Sequence, residues 1–200
     1  NAGNAKAQCE LADCYWYGEK GVAINYEQAA IWYSKSAKQN YAPALVAYGM
    51  CYIMGKGVPP VAYRAVEEFT KAAKLGDSDG LYYLAGCYLE GRGVSLDQKK
   101  AFELFQKSAD KGNEYAYTSM GECYYYGKGV KRNYAEAVKW FLKNAESDEP
   151  MAYAMYHLSR CYRFGRGTSV DHSLASYFTE KAAELGDTGS FDAVKMLRNN

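Results

Sequence analysis

Cys14-Tyr15-Trp16-Tyr17-Gly18-Glu19-Lys20-Gly21-Val22 is the first of five related phrases in this chain. It returns as CYIMGKGV from Cys51, CYLEGRGV from Cys87, CYYYGKGV from Cys123 and CYRFGRGT from Cys161. The second glycines, Gly21, Gly57, Gly93, Gly129 and Gly167, step by 36, 36, 36 and 38 residues. A fixed period of about 20 to 50 residues marks a repeat solenoid, in which each unit is too small to bury a core alone and neighbours stack to share one. Stacked repeats build extended surfaces, so the period points to binding rather than to chemistry.

Working backward from each phrase, a first helix emerges. Seven residues before the cysteine stand Ala7, Ala44, Gly80, Ala116 and Ala154; three before stand Leu11, Tyr48, Leu84, Met120 and Leu158. With the cysteine and the tyrosine that follows it, these positions trace one helical face. Small residues two before the cysteine (Ala12, Gly49, Ala85, Gly121 and Ser159) leave room for a second helix to approach. The first helix ends at Gly18, Gly55, Gly91, Gly127 or Gly165, since glycine accepts the left-handed conformation of a helix C-terminus.

Working forward, Asn25, Asp97, Asn133 and Asp171 supply N-caps for a second helix, and the second unit uses Pro59-Pro60 instead. That helix carries Ala29, Ala65, Ala101, Ala137 and Ala175, then an aromatic at Tyr33, Phe69, Phe105 and Phe141, with Thr179 in that slot of the fifth unit. The predicted repeats are 3–39, 40–75, 76–111, 112–149 and 150–185, forming one domain over 1–200. Residues 186–200, made polar by Asp192, Lys195 and Arg198, read as a partial capping repeat. Gly3 sits where a preceding repeat would end, so the chain reads as a fragment of a longer array.

Composition narrows the function. The 24 basic and 23 acidic side chains give a net charge of +1, which creates no global field toward nucleic acid or a membrane. No apolar run reaches spanning length. Tyrosine is the outlier, at 21 of 200 residues. The five repeat cysteines occupy equivalent places on successive helices, which stand about 8–10 Å apart, beyond disulfide reach. They read as small buried apolar groups, with Cys9 off the repeat position and more accessible. Unpaired thiols lean weakly toward a cytoplasmic home.

The combined pattern, A-x-x-x-L-[GA]-x-C-Y-x-x-G-[KR]-G-V followed by D/N-x-x-x-A-x-x-[WF]-[YF]-x-K-x-A, resembles the Sel-1-like repeat family, a tetratricopeptide-related group with a longer glycine-bearing loop. The likeness covers residues 3–198. It implies an all-α, right-handed α/α superhelical solenoid of five helix-turn-helix repeats plus a terminal capping helix, acting as an adaptor. The family's disulfide-rich branch is not matched, because Ala37, Ala73, Ala109 and Ala145 stand where its cysteines would be.

Signals for catalysis are weak, and the chain reads as a non-enzyme without cofactor or metal. His157 and Cys161 lie one helical turn apart, but no further ligand pair accompanies them. Ser108-Ala109-Asp110-Lys111 satisfies the S-x-x-K start of the penicillin-recognising hydrolase signature without its companion elements, leaving such a hydrolase a distant alternative. The G-K-G and G-R-G phrases lack the spacing of a phosphate loop. The Lys35, Lys71, Lys107, Lys143 and Lys181 series lacks the interleaved aromatics that single-stranded nucleic acid requires.

The remaining face of the first helix, by resemblance to tetratricopeptide repeats the concave one, is crowded with rings. It carries Trp16 and Tyr17, then Tyr82 and Tyr83, then Tyr115, Tyr125 and Tyr126, then Tyr153, Tyr156 and Phe164, with His157, Arg160 and Arg163 beside them. Aromatic residues and arginine dominate binding hot spots, although such rings also serve as filler between adjacent helices. The arginines suit a partner carboxylate. The reading is a scaffold that binds a protein or peptide segment along this groove, with a glycan as the alternative ligand and the oligomeric state left open. On this reading Tyr125→Ala and Tyr156→Ala weaken binding and spare stability.

Overall fold

The computed structural model describes residues 3–186. Ten α-helices run in chain order: α1 Ala5–Tyr17, α2 Tyr26–Ala37, α3 Ala42–Met54, α4 Ala62–Lys74, α5 Ser78–Glu90, α6 Gln98–Asp110, α7 Glu114–Tyr126, α8 Tyr134–Ala145, α9 Ala152–Phe164 and α10 His172–Glu184. No strand occurs among the described residues. The chain forms two compact units, one up to Ser108 and one from Ala109. Asp192, Lys195 and Arg198 of the expected capping repeat lie outside the described residues.

Each odd-numbered helix ends the way its sequence requires. Gly18, Gly55, Gly91, Gly127 and Gly165 all adopt the left-handed conformation and donate their N–H to the carbonyl of the repeat cysteine. The chain then turns back. The N–H at the start of the next helix donates to the carbonyl of the tyrosine after the cysteine: Asn25 to Tyr15 at 2.8 Å, Asp97 to Tyr88 at 2.9 Å, Asn133 to Tyr124 at 2.9 Å and Asp171 to Tyr162 at 2.9 Å. Orphan carbonyls of the first helix are thus satisfied within the turn.

Even-numbered helices start on the predicted caps. The side-chain oxygens of Asn25, Asp97, Asn133 and Asp171 accept backbone N–H groups at 2.9–3.2 Å. Pro59-Pro60 works differently from expectation. Helix α4 begins at Ala62 behind Val61, which makes no side-chain cap. Pro60 instead lies beside Gly55, where a Cβ would come within 3.2 Å of its ring. The prolines therefore shape the turn rather than the first helical residue.

The second glycines Gly57, Gly93 and Gly167 have a separate reason. A Cβ at Gly57 would lie 2.0 Å from the Tyr26 carbonyl oxygen at the start of α2, and one at Gly93 would lie 2.5 Å from the Ala62 backbone in α4. In the second unit a Cβ at Gly167 would lie 2.3 Å from the Tyr134 backbone in α8. These three turns thus press directly on the helix start of the preceding repeat, which is how those repeats stack.

Inside a repeat, the small residue of the first helix faces the aromatic of the second. A Cβ on Gly49 would fall 2.5 Å from the Phe69 ring, and one on Gly121 would fall 2.4 Å from the Phe141 ring. In the fifth repeat Ser159 and Thr179 hold the same two places, with their hydroxyls 2.6 Å apart. Thr179 donates onward to the Ala175 carbonyl, so Ser159 is the donor between them. The end of the second helix is tied to the start of the first by buried polar groups. Ser36 donates to the Ala5 carbonyl at 2.6 Å, Ser108 to Ser78 at 2.7 Å and Asn144 to Glu114 at 3.2 Å.

Candidate functional site

The candidate face separates into packed rings and open ones. In the first unit, Trp16 is half-buried, edge-on to Tyr26 with centroids 5.0 Å apart, and the Lys56 ammonium sits 5.4 Å from its ring. Tyr83 stacks on Phe69 at 5.4 Å, and Tyr82 tilts onto Phe105 at 5.8 Å. These three rings are anchored to second-helix aromatics. Tyr17 alone of the four stands largely exposed.

In the second unit, Tyr125 and His157 are buried, at 3% and 0% exposure. A ring sealed from solvent offers no surface to a partner, so these two candidates belong to the interior. Tyr125 lies between Tyr134 and His157, with centroids 5.0 and 4.9 Å away, and its hydroxyl accepts a hydrogen bond from Arg166. Five rings surround His157: Phe141 stacked at 4.9 Å, with Tyr125, Tyr126, Tyr153 and Tyr156 edge-on. Neither imidazole nitrogen has a hydrogen-bond partner among the described residues. Burial, followed by the charges of Arg160 and Lys128, lowers its pKa to about 4, so the ring is neutral at pH 7.

Over this interior lies an open surface. Tyr115, Tyr126, Tyr153 and Phe164 are 42–58% exposed, Arg163 is exposed, and Tyr156 and Arg160 are half-buried. Tyr153 donates to Glu122 Oε1 at 2.9 Å, and burial together with the Glu122 charge raises its phenol pKa. Cations frame the rings. The Lys128 ammonium lies 5.2 Å from the Tyr126 centroid, Arg160 lies 5.6 Å from that of Tyr156, and Arg166 lies 5.5 Å from that of Phe164. None of Lys128, Arg160, Arg163 or Arg166 takes part in an ion pair among the described residues. Lys128 stands in the glycine turn, where nothing in the repeat pattern marks it as part of this face.

Groups considered for chemistry are engaged elsewhere. Ser108 is fully buried with its hydroxyl committed to the Ser78 carbonyl, so the S-x-x-K motif is an ordinary helix end. The Cys161 thiol is pushed up to about 11, mainly by burial, which denies it thiolate character beside a neutral His157. Cys9, expected to be accessible, is buried in the core of the first unit with Ala12, Ala29 and Ala30, and its thiol is pushed up to about 12. All six cysteines are unpaired and buried. No group of three metal-ligating side chains is assembled among the described residues, and no helix there is long and apolar enough to cross a membrane.

The comparisons with known proteins agree with this architecture. A solved structure of c5321, a protective antigen present in uropathogenic Escherichia coli strains, superposes with a TM-score of 0.83 at 32% identity. The match takes in 95% of this chain and 40% of that one. A Sel1 repeat protein from Oxalobacter formigenes gives 0.81 at 28% identity over 96% of this chain and 77% of its own. Among curated proteins, chitin synthase regulatory factor 3 of Schizosaccharomyces pombe is 34% identical over 59 residues, 29% of this chain and 6% of the yeast protein. The chain thus spans well under two thirds of both the yeast regulator and the E. coli antigen. The Sel1 repeat profile matches five times, at residues 5–41, 42–77, 78–113, 114–148 and 152–187. With every repeat accounted for by that profile and by the helix pairs above, the chain belongs to the Sel1 repeat family, an all-α repeat fold whose members generally serve as protein-interaction scaffolds.

Proposed function

We propose that this chain is a non-catalytic interaction module, and that the α7–α9 face of its second unit receives an acidic protein segment carrying an apolar or aromatic anchor. One observation carries the reading: Lys128, Arg160 and Arg166, without ion-pair partners among the described residues, stand over rings of a face that includes exposed Tyr126 and Phe164. Exposed Tyr126, Tyr153 and Phe164 supply rigid contact area at low entropic cost. Arg160 and Arg163 supply the planar donors that carboxylates accept. Glu122 is the acid at the face, and its carboxylate is occupied by Tyr153.

The test is calorimetric titration with a Glu- and Phe-containing peptide, its Lys-for-Glu counterpart and a chitin oligosaccharide. Saturable binding of the acidic peptide, weakened roughly tenfold or more by Arg160→Glu with Arg163→Glu, supports the reading. Preference for the oligosaccharide, or indifference to charge reversal, overturns it.

A further inference from the structure

A second site lies in the first unit. Helices α2, α3 and α4 border a half-open pocket of about 320 Å³, the scale of a small-molecule site. Its aromatic lining is Tyr48 and Tyr52, whose hydroxyls are 2.9 Å apart. Tyr48 occupies the position that holds Leu11, Leu84, Met120 and Leu158 in the other repeats, so this unit alone places a phenol there. Two hydroxyls that share one hydrogen bond use only one of their two protons. The other O–H is a donor with no acceptor among the described residues. Burial and the Tyr48 bond push the Tyr52 phenol up to about 12, which keeps it protonated and able to donate.

The rest of the lining is charged. Lys38 closes α2, and Arg64 and Lys71 project from α4, against the single carboxylate of Glu68. Lys71 bonds Glu68 Oε1 at 2.7 Å, while Arg64 stands 3.5 Å from Glu67. The Lys38 ammonium has no ion-pair partner among the described residues. Glu68 Oε2 remains an acceptor, and Ser34 adds a hydroxyl. The pocket therefore combines a cationic excess, a spare phenol donor and one carboxylate acceptor. An anion alone would leave Glu68 facing like charge, whereas a neutral polyol would leave Lys38 unused.

From these groups we infer that the pocket binds a small phosphorylated polyol, with the phosphate toward Lys38 and Arg64 and a hydroxyl donating to Glu68. The assignment is independent of the acidic-segment face. Glucose 6-phosphate is the probe, followed through amide shifts in ¹H–¹⁵N spectra of the whole chain, with glucose and inorganic phosphate as controls. The expected result is saturable shifts confined to residues 34–38, 48–52 and 64–71, at least roughly tenfold tighter than for either control. Tyr48→Leu installs the residue that other repeats tolerate and so retains the fold. It should weaken binding severalfold without moving the melting temperature, and Lys38→Ala should do the same. Equal affinity for inorganic phosphate overturns the polyol assignment. Absent or dispersed shifts, or variants that bind as well as the parent, overturn the site.

Discussion

The imidazole of His157 lies face to face with the ring of Phe141, with centroids 4.9 Å apart and planes within 10° of parallel. The residue is fully buried and both its nitrogens lack hydrogen-bond partners among the described residues. A neutral imidazole tolerates this stack as a flat, weakly polar ring. An imidazolium does not, because its charge would be stripped of water inside an aromatic wall beside Arg160 and Lys128.

Acid should therefore loosen the second unit. His157 has its pKa lowered from 6.5 to about 4. Above pH 6.5 it is neutral folded and unfolded, and contributes no pH dependence. As pH falls below 6.5 the unfolded chain takes up a proton that the folded chain refuses, so stability declines until about pH 4. The full loss is on the order of 3 kcal/mol. The groups around the ring are the phenols of Tyr125, Tyr126, Tyr153 and Tyr156, with the Glu122 carboxylate bonded to Tyr153, and the charges that act on the imidazole besides its burial are those of Arg160 and Lys128. Urea unfolding of the parent and of His157→Phe at pH 7 and pH 4.5 checks this. The variant should lose markedly less stability between the two pH values, and equal losses would show that the histidine is not the cause.

Neighbouring tyrosines should behave in opposite ways. Tyr125→Ala empties a buried site between Tyr134, Phe141 and His157 and removes the acceptor of Arg166, at a cost of about 3–5 kcal/mol. Tyr126→Ala, at 48% exposure, should cost about 1 kcal/mol or less and act on partner affinity. Thermal melts of the two variants decide the matter. Similar melting temperatures would mean that the face has been divided wrongly.

The two kinds of glycine turn can be separated by alanine. Gly57 and Gly112 both have positive φ, 75° and 86°. Replacing Gly112 adds a Cβ with nothing within 4 Å, so only backbone strain of about 1–2 kcal/mol is expected. At Gly57 the same Cβ would sit 2.0 Å from a backbone oxygen of α2, which cannot move without unstacking the repeat. Gly57→Ala should cost clearly more, about 3 kcal/mol or above. Denaturant midpoints of the two variants test the ordering.

Much of this was legible in the residues. Caps at Asn25, Asp97, Asn133 and Asp171 and helix ends at Gly18 through Gly165 are local events, decided by a side chain within three residues or by one backbone angle. The small residue facing an aromatic is short-range too, because both sit in one repeat. The candidate face was less legible. Tyr125 and Arg163 stand at the same distance from their repeat cysteines, yet one is buried and the other exposed. What seals Tyr125 comes from α8 and α9, and helical periodicity within α7 carries no record of them.

By itself, then, the sequence determined the family, the helix pairs and the places where glycine is obligatory, because each follows from period, capping and backbone sterics. Only the tertiary structure decided which rings are surface. It moved Tyr125 and His157 inward, put Cys9 in the core, and joined Ser34, Lys38, Tyr48 and Glu68 from three helices around one pocket. Burial is a property of neighbours: a side chain on a helix edge is exposed or enclosed according to what the next helix brings against it.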